Sequence, residues 1–210
     1  MGSIRNLVIR SSVLIVSLII CGAGTALFVN ASLGNDPLTA FIQGLSFQFN
    51  CSYGTAMTVV NAVAIVLVFA MGRHLIHLGT VLSLLLGGII SNWLISSLQF
   101  LLGPTPTLIV RISLLLIGTF CVAFGVGIYQ AAQLGASPLD ALNQIIAAKS
   151  NMPLRYERML CDVVFFTFAL LLGGKIYIGT VVSLLFVGPI MAYSMEHFIK
   201  IINRWTRFTP

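Results

Sequence analysis

The stretch Ala31-Ser-Leu-Gly-Asn-Asp-Pro-Leu-Thr-Ala-Phe-Ile-Gln43 decides the fold, because it recurs as Ala132-Gln-Leu-Gly-Ala-Ser-Pro-Leu-Asp-Ala-Leu-Asn-Gln144. Seven of the thirteen positions are identical, including the Leu-Gly pair and the Pro-Leu pair. A second stretch, Gly79-Thr-Val-Leu-Ser-Leu-Leu-Leu-Gly-Gly88, recurs at nearly the same spacing as Gly179-Thr-Val-Val-Ser-Leu-Leu-Phe-Val-Gly188. Self-similarity of this kind indicates a duplicated unit. The sequence therefore predicts two copies of one repeat, over about residues 7–102 and 107–200.

The composition is that of a protein embedded in a lipid bilayer. Of the 210 residues, 58% are hydrophobic and only 8% are charged, and the mean hydropathy is +1.04. A water-soluble domain carries about 25% charged residues, so we predict a single membrane domain over residues 1–210. The net charge of +6 does not indicate nucleic-acid binding, because the basic residues lie singly between apolar runs.

Six apolar runs are long enough to cross a bilayer as helices, at a rise of about 1.5 Å per residue. The first could pass for a signal peptide, but it leads without a break into the first motif and has an equivalent at 108–131. We therefore expect it to be retained as a span. The predicted fold is an all-α polytopic membrane protein with six transmembrane helices, three in each repeat. The predicted spans are 11–29, 55–72, 76–102, 107–131, 156–174 and 177–199.

The Lys and Arg residues between the spans indicate the orientation. With the amino terminus in the cytoplasm, nine of the 11 Lys and Arg residues lie inside, and only Arg111 and Lys175 lie outside. Both termini are therefore predicted to be cytoplasmic. Because each repeat has an odd number of spans, the two copies are predicted to be inverted relative to each other, as in many secondary transporters.

Each copy of the motif predicts a helix end, a turn and the start of a short helix. A glycine is expected to end the preceding helix in the left-handed conformation, which costs glycine least. Two residues later an Asp or Ser suits the N-cap position, and the proline after it suits the first helical turn. These residues are Gly34, Asp36 and Pro37 in the first copy and Gly135, Ser137 and Pro138 in the second.

The two short helices are expected at 37–48 and 138–149, and each is too short to span a bilayer. They could dip into the membrane from opposite faces or continue spans one and four after a break; alternatively, they lie flat at the interface. Unpaired backbone at membrane depth is tolerated only against protein or a water-filled cavity. The positive ends of their dipoles would attract an anionic or polar group, although Asp36 and Asp140 would neutralise part of that effect.

Asp162 is the most unusual polar residue, because it lies inside the fifth span, where an acid is costly unless it faces a cavity or a partner. Its counterpart in the first copy is Asn61. One interpretation is a site for a proton, a coupling cation or a substrate amine, with Asn61 opposite Asp162 across the pseudo-twofold axis. The other is a structural carboxylate paired with Arg158, one helical turn earlier.

Further polar residues in and beside the short helices are candidates for binding a substrate. Amides can equally hydrogen-bond neighbouring transmembrane helices to each other. Tyr129 aligns with Phe28, and an aromatic residue at that position is typical of core packing. The candidates are Asp36, Gln43, Tyr129, Gln130, Asp140, Asn143 and Gln144.

Small residues recur about every four positions in spans three and six, which predicts close packing of these two spans against each other. They are Gly79, Ser83 and Gly87 in one span and Gly179, Ser183 and Gly188 in the other. Gly22-Ala-Gly24 and Gly125-Val-Gly127 indicate further notches for helix packing.

The sequence contains no motif for catalysis or for a cofactor. HExxH, GxSxG, the glycine-rich phosphate loop and CxxC are all absent, so we expect neither an enzyme nor a bound cofactor. The four cysteines have no paired spacing and are expected to remain free. His74 and His77 are three residues apart, but no carboxylate or thiol lies near them, so no metal site is expected.

The doubled Leu-Gly-x-x-Pro-Leu-[Thr/Asp]-Ala and the doubled Gly-Thr-x-x-Ser-Leu-Leu resemble bacterial integral membrane proteins of the YczE/YitT type. The resemblance covers essentially the whole chain. It implies a polytopic helical fold in the bacterial inner (plasma) membrane, with transport as the expected role. It assigns no site residues.

These features favour a small secondary transporter that moves a small polar or organic solute by alternating access around a pseudo-twofold cavity. Asp162, Asn61, Gln43 and Gln144 are the expected cavity residues. A membrane accessory or scaffold protein without a substrate is one alternative, and a channel is another. The expected partners are the lipid bilayer and a small-molecule substrate, and a homodimer is compatible with a mass of 22.6 kDa.

Overall fold

The protein is built from α-helices throughout the part that the computed structural model describes, which is residues 2–34, 36–71, 78–103, 106–135, 137–152, 154–173 and 177–207. The predicted spans and short helices correspond to these helices in order, although the first and last helices extend well beyond the predicted spans. The helices are α1 Gly2–Ala31, α2 Pro37–Gln48, α3 Tyr53–Met71, α4 Leu78–Leu102, α5 Leu108–Ala131, α6 Pro138–Ser150, α7 Leu154–Leu171 and α8 Ile178–Arg207.

Five helices are long and apolar enough to cross a bilayer, namely α1, α3, α4, α5 and α8. α7 corresponds to the remaining predicted span, but its apolar part is only Met159–Leu171. Large apolar side chains cover the outside of the bundle; Phe100, for example, is 88% exposed and Ile109 is 79% exposed. Such an extensive apolar surface is unfavourable in water and suits contact with lipid. The chain is therefore a multi-pass helical membrane protein.

The long helices are arranged around a central pair, α1 and α5, which pack along each other. α4 packs on α1, and α8 packs on α5. The short helices bridge the two halves of the chain, because α2 packs on α7 as well as α3, and α6 packs on α3 as well as α7. The predicted packing of spans three and six against each other is wrong, since α4 and α8 make at most marginal contact in the described part and each lies on a different helix of the central pair.

The first glycines of α4 and α8 contact the two copies of the motif instead. The backbone N–H of Gly79 donates to the carbonyl oxygen of Leu134 at 2.8 Å, and that of Gly179 donates to Leu33 at 2.9 Å. A Cβ atom on either glycine would lie 2.8 Å from the same carbonyl oxygen. The small residues of these helices therefore allow a motif backbone, rather than another long helix, to approach closely.

Glycine notches hold α1 and α5 together, as the sequence predicts. A Cβ atom on Gly24 would lie 2.6 Å from the backbone nitrogen of Val122. On the other side of the same interface, a Cβ atom on Gly125 would lie 3.0 Å from the backbone nitrogen of Cys21. The backbones of the two central helices are thus in contact at two corresponding places. Larger residues at these glycine positions would prevent that contact.

Two arginines cap the ends of the central helices in a reciprocal way. Near the start of α1, Arg10 donates to the carbonyl oxygen of Ala132 at 3.0 Å, just after the end of α5. Near the start of α5, Arg111 donates to the carbonyl oxygens of Ala31 and Ser32, both at 2.7 Å, at the end of α1. Carbonyls at a helix end lack partners within the helix, so each arginine supplies what the other helix is missing.

The predicted glycine is not the residue that ends the helix before each turn. The first left-handed residues after α1 and α5 are Ser32 (φ 51°) and Gln133 (φ 53°) rather than glycines. Gly34 and Gly135 follow with φ values of 102° and 106°, a conformation that glycine adopts most easily. A Cβ atom on Gly34 would lie 2.8 Å from the backbone nitrogen of Tyr177. The motif glycine is therefore needed for the turn and for contact with the segment before α8, not for the helix end.

Side-chain caps begin α2 and α6, as predicted. The Asp36 carboxylate accepts a hydrogen bond from the backbone N–H of Thr39 at 3.1 Å, and Pro37 is the first residue of α2. Ser137 Oγ accepts from the backbone N–H of Asp140 at 3.3 Å and donates to the carboxylate of the same residue at 2.7 Å. The second arrangement is close to a capping box. Both short helices therefore have defined starting points.

Candidate functional site

A cavity of about 530 Å³ lies between α5, α7 and α8, and the first turns of α2 and α6 also line it. Its volume lies in the range of about 300–1,000 Å³ that is typical of small-molecule sites. Six of the nine candidate binding residues line this cavity. They are Asp36, Gln130, Asp140, Asn143, Gln144 and Asp162.

Three of the five acidic residues in the chain face this one cavity, and they come from three different helices. Asp36 is the N-cap of α2, Asp140 is in the first turn of α6, and Asp162 is on α7. Val122, in the middle of α5, lines the same cavity. The start of α2 therefore shares this cavity with a residue in the middle of α5.

The alternative reading of Asp162, a structural pair with Arg158, involves a side chain outside the described residues. The Asp162 side chain itself is half-buried on α7 and lines the cavity. A carboxylate at this depth is tolerated when it faces a polar space or a partner. Its position in the cavity wall is compatible with either reading.

Asn143 is a cavity-lining amide with little exposed surface. Its residue is only 6% exposed, and its amide forms no hydrogen bond within the described part of the chain. An unpaired amide in an apolar environment costs roughly 1–3 kcal/mol by protein mutational data. Water or a ligand in the cavity can supply the missing hydrogen bonds. Gln130, which also lines the cavity, donates to the weak acceptor Sδ of Met191 at 3.9 Å.

Three predicted substrate-binding residues lie elsewhere. Gln43 and Asn61 are each 5% exposed and are not part of the cavity wall. Tyr129 is 2% exposed, and its hydroxyl donates to the carbonyl oxygen of Gly79 at 3.2 Å. Tyr129 therefore joins α5 to the start of α4, and the structure does not bring Asn61 to the cavity opposite Asp162.

The wall formed by α8 was not predicted from the sequence. Val187, Gly188, Pro189 and Met191 all line the cavity. Pro189 lies inside the helix, where proline removes one backbone hydrogen bond and leaves an earlier carbonyl without its N–H partner. The corresponding residue of α4 is Ile89, so the proline is a difference between the copies that the sequence already contains.

The cavity lies at the place where the two copies pack differently. α3 packs directly on α4, and a Cβ atom on Gly54 would clash with the carbonyl oxygen of Gly88. The corresponding helices α7 and α8 make at most marginal contact in the described part of the chain. Gly188 aligns with Gly88, but a Cβ atom on it would meet nothing within 4 Å. The space between α7 and α8 forms part of the cavity.

The multi-pass bundle, with a polar cavity between its helices, places this chain in the class of polytopic membrane proteins. The chain belongs to the DUF6198 family, a family of unknown function, which matches residues 8–196. An uncharacterized protein of Haemophilus influenzae is 30% identical over 193 residues, which cover 92% of this chain and 84% of that protein. The uncharacterized membrane protein YczE of Bacillus subtilis is 26% identical over 200 residues, 95% of this chain and 91% of YczE.

These relatives confirm the resemblance to YczE-type bacterial membrane proteins. YyaS of Bacillus subtilis, also named as uncharacterized, is 25% identical and covers 88% of this chain. No solved structure matches the chain.

Proposed function

We propose that this protein is a secondary transporter that moves a small polar or organic solute across the bacterial inner membrane. The observation that carries the proposal is the cavity, in which three carboxylates and three amides surround a space of about 530 Å³ within apolar helices. Polar groups at membrane depth are costly, and they commonly mark solute or ion pathways. A scaffold protein without a substrate would not need them at one place.

We infer that the spans form two inverted three-span copies, with α7 as the sixth span. Arg10 at the start of α1 contacts the end of α5, and Arg111 at the start of α5 contacts the end of α1. The glycines at the interface of α1 and α5 also correspond between the two copies. Gly79 and Gly179 correspond in the same way, because each contacts the motif of the other copy. Two copies related by a twofold axis in the membrane plane would produce such matched contacts. The Lys and Arg distribution favours cytoplasmic termini.

Alternating access would use the two peripheral helix pairs as gates. In the described structure α3 and α4 are packed, while α7 and α8 are separated by the cavity. Closure of α7 on α8, together with separation of α3 from α4, would expose the same central residues to the opposite side of the membrane. The solute would shift the equilibrium between these states through its different contacts in each.

The first test is a thermal-shift screen of the purified protein against a broad metabolite set, with Asp162→Asn measured in parallel. A ligand at a hundred times its dissociation constant stabilises the folded protein by about 2.7 kcal/mol. We expect a stabilising ligand whose effect is lost in Asp162→Asn. The control is Glu196→Gln, whose carboxylate is 73% exposed, pairs with Lys200 at 3.0 Å and lies outside the cavity wall.

The second test is uptake of the stabilising ligand into vesicles that contain the purified protein. We expect saturable uptake that Asp162→Asn reduces and Glu196→Gln leaves unchanged. A ligand that binds in the cavity but is never carried across would contradict transport and favour a membrane accessory protein. Conduction that follows the electrochemical gradient at channel rates would favour a channel instead.

A further inference from the structure

We propose that three amide side chains in the cavity select an uncharged solute that carries a planar carboxamide or lactam group; this inference rests on the transport function proposed above. The amides are those of Gln130, Asn143 and Gln144, and all three line the cavity. Gln130 is on α5, whereas Asn143 and Gln144 are adjacent on α6. The amides therefore approach one space from two helices.

These amides have hydrogen-bonding groups that the protein itself does not use. Asn143 is only 6% exposed, and its amide forms no hydrogen bond within the described part of the chain. The amide of Gln144 likewise forms none with the described residues. Gln130 donates to the sulfur of Met191 at 3.9 Å, which is a weak acceptor. Since buried polar groups are normally hydrogen-bonded, a molecule in the cavity is expected to supply the partners.

The carboxylates of the cavity differ from the amides, because the protein already engages them. Asp36 accepts a hydrogen bond from the backbone N–H of Thr39, and Asp140 accepts one from the hydroxyl of Ser137. Asp162 also interacts with another group of the protein. Recognition of the solute is therefore assigned to the amides and does not depend on the charge of the wall.

The other copy of the repeat indicates that helix packing does not require two of these amides. Asn143 corresponds to Ile42, which is 2% exposed, and Gln130 corresponds to Val29. An aliphatic side chain therefore packs at the equivalent place in the first copy, where α3 lies directly on α4. The amides occur in the copy whose outer helices are separated by the cavity.

The chemistry of an amide favours a ligand that both donates and accepts. Each side-chain amide has two N–H donors and a carbonyl acceptor. A carboxylate only accepts and an ammonium group only donates, so either would leave part of each amide without a partner. A carboxamide or lactam presents an N–H and a carbonyl side by side. It can pair with a protein amide through two hydrogen bonds, as Asn and Gln do with the donor and acceptor edge of adenine.

The rest of the wall suits an uncharged apolar body attached to that group. Val122, Leu184 and Val187 line the cavity together with the sulfur-containing side chains of Met159 and Met191. Transfer of a charged group into such surroundings is costly, whereas an amide with hydrogen-bond partners is tolerated. Methionine adapts to irregular shapes and contacts aromatic rings favourably, so both aliphatic and aromatic bodies fit this wall.

The test uses sets of compounds of similar shape that differ in their hydrogen-bonding group. One set is 2-methylpropanamide, 3-methylbutan-2-one, 2-methylpropanoate and 2-methylpropylammonium, and another is benzamide, acetophenone, benzoate and benzylammonium. A lactam pair, 2-piperidone and cyclohexanone, distinguishes a ring amide from an open carboxamide. Calorimetry and thermal shift measure binding to the purified full-length protein. We expect saturable binding of carboxamides or lactams, with the ketones and charged compounds at least about tenfold weaker.

Variants then place the binding at the amides. Asn143→Leu, Gln144→Leu and Gln130→Met keep the approximate size of each side chain and remove its amide. Each should weaken carboxamide or lactam binding by about tenfold and reduce its advantage over the ketone of the same shape. The melting temperature without ligand should not fall, and it shows which variants are folded. The control is Gln48→Leu, at the exposed end of α2 and outside the cavity wall, which should bind as the unchanged protein does.

The outcomes separate this inference from the proposed function. Preferential binding and uptake of ketones or charged compounds would overturn amide selectivity while leaving transport intact. Carboxamide or lactam binding that depends on the three amides, without uptake, would support the site and contradict transport. No saturable binding of any carboxamide or lactam to the folded protein would overturn the site. An unchanged preference for amides over ketones in all three folded variants would overturn it as well.

Discussion

Arg111 illustrates how single residues hold the described bundle together. Its guanidinium donates to the carbonyl oxygens of Ala31 and Ser32, both at 2.7 Å, and so satisfies two groups at the end of α1. From the sequence, Arg111 is expected only to reach the membrane surface from a span end. The planar guanidinium, with several fixed donors, can serve two carbonyls at once, whereas lysine is a single flexible point charge.

We predict that Arg111→Met lowers the free energy of unfolding by about 2 kcal/mol, because hydrogen bonds to charged groups contribute about 1.5–3 kcal/mol. Arg111→Lys should recover only part of that loss. Reversible denaturation in detergent measures both. The control is Arg5→Met, since Arg5 is exposed near the start of α1. Equal stability of Arg111→Met and Arg5→Met would show that water replaces the guanidinium at the end of α1.

Tyr129 provides a second residue-scale prediction, because the other copy has Phe28 at the corresponding position. Tyr129→Phe should preserve packing and lose only the hydrogen bond of 3.2 Å to Gly79. We expect a loss of about 1 kcal/mol, since the buried carbonyl loses one donor. Tyr193→Phe, at a site that is 73% exposed, should change stability much less in the same denaturation measurement.

The sequence predicts most of the residue types that line the cavity. It does not predict which copy of the repeat supplies each of them. Asp36, Asp140 and Asp162 stand out in the sequence because acids in apolar stretches need a reason to be there. Gln43 and Gln144 have the same position in the two copies, yet only Gln144 lines the cavity. A repeat predicts equivalent local structure, whereas the opening between α7 and α8 depends on packing that differs between the copies.

At the scale of helices, the sequence predicts which residues form each helix better than it predicts which neighbours that helix contacts. The small residues of α4 and α8 correctly indicate close approach, but the pattern carries no information about the neighbour. Gly79 and Gly179 contact the turns of the motif at Leu134 and Leu33 instead of each other. The prediction that the motif glycine ends the helix is also wrong, because Ser32 already adopts the left-handed conformation two residues earlier.

The different packing of the two helix pairs leads to a prediction about corresponding glycines. Gly88→Ala places a methyl group against the carbonyl oxygen of Gly54, at 2.6 Å, and should lower the thermal stability clearly. Gly188→Ala places the same group in open space and should leave the stability nearly unchanged. Overpacking of this kind costs about 1–3 kcal/mol. Similar melting temperatures for the two variants would contradict the described separation of α7 from α8.

At the scale of the whole molecule, the proposed arrangement of three spans in each repeat predicts that corresponding sites face opposite sides of the membrane. Asp36 and Asp140 are unsuitable probes, because both line the same cavity. Gln48 and Ser150 are better, since they are exposed at the far ends of α2 and α6.

We predict that Gln48→Cys, in a protein without its four native cysteines, reacts with a membrane-impermeant thiol reagent in intact cells. Ser150→Cys should react only after the cells are permeabilised. Arg204→Cys, near the carboxyl terminus, is the control for the cytoplasmic side and should behave like Ser150→Cys. Labelling of Gln48→Cys and Ser150→Cys from the same side would rule out inverted copies.

The contacts between the two halves have a consequence for the origin of the protein. Three packed pairs, α1 with α5, α2 with α7 and α3 with α6, join one half to the other. The core cluster of Leu14 and Tyr129 and that of Phe28 and Leu114 each combine both halves. In the described part of the chain, the core is therefore shared between the two halves. If the copies are inverted as we propose, an ancestral gene of half the length would have encoded a chain that inserted in both orientations and dimerised with itself, and fusion near Gly103 would have fixed one chain in each orientation.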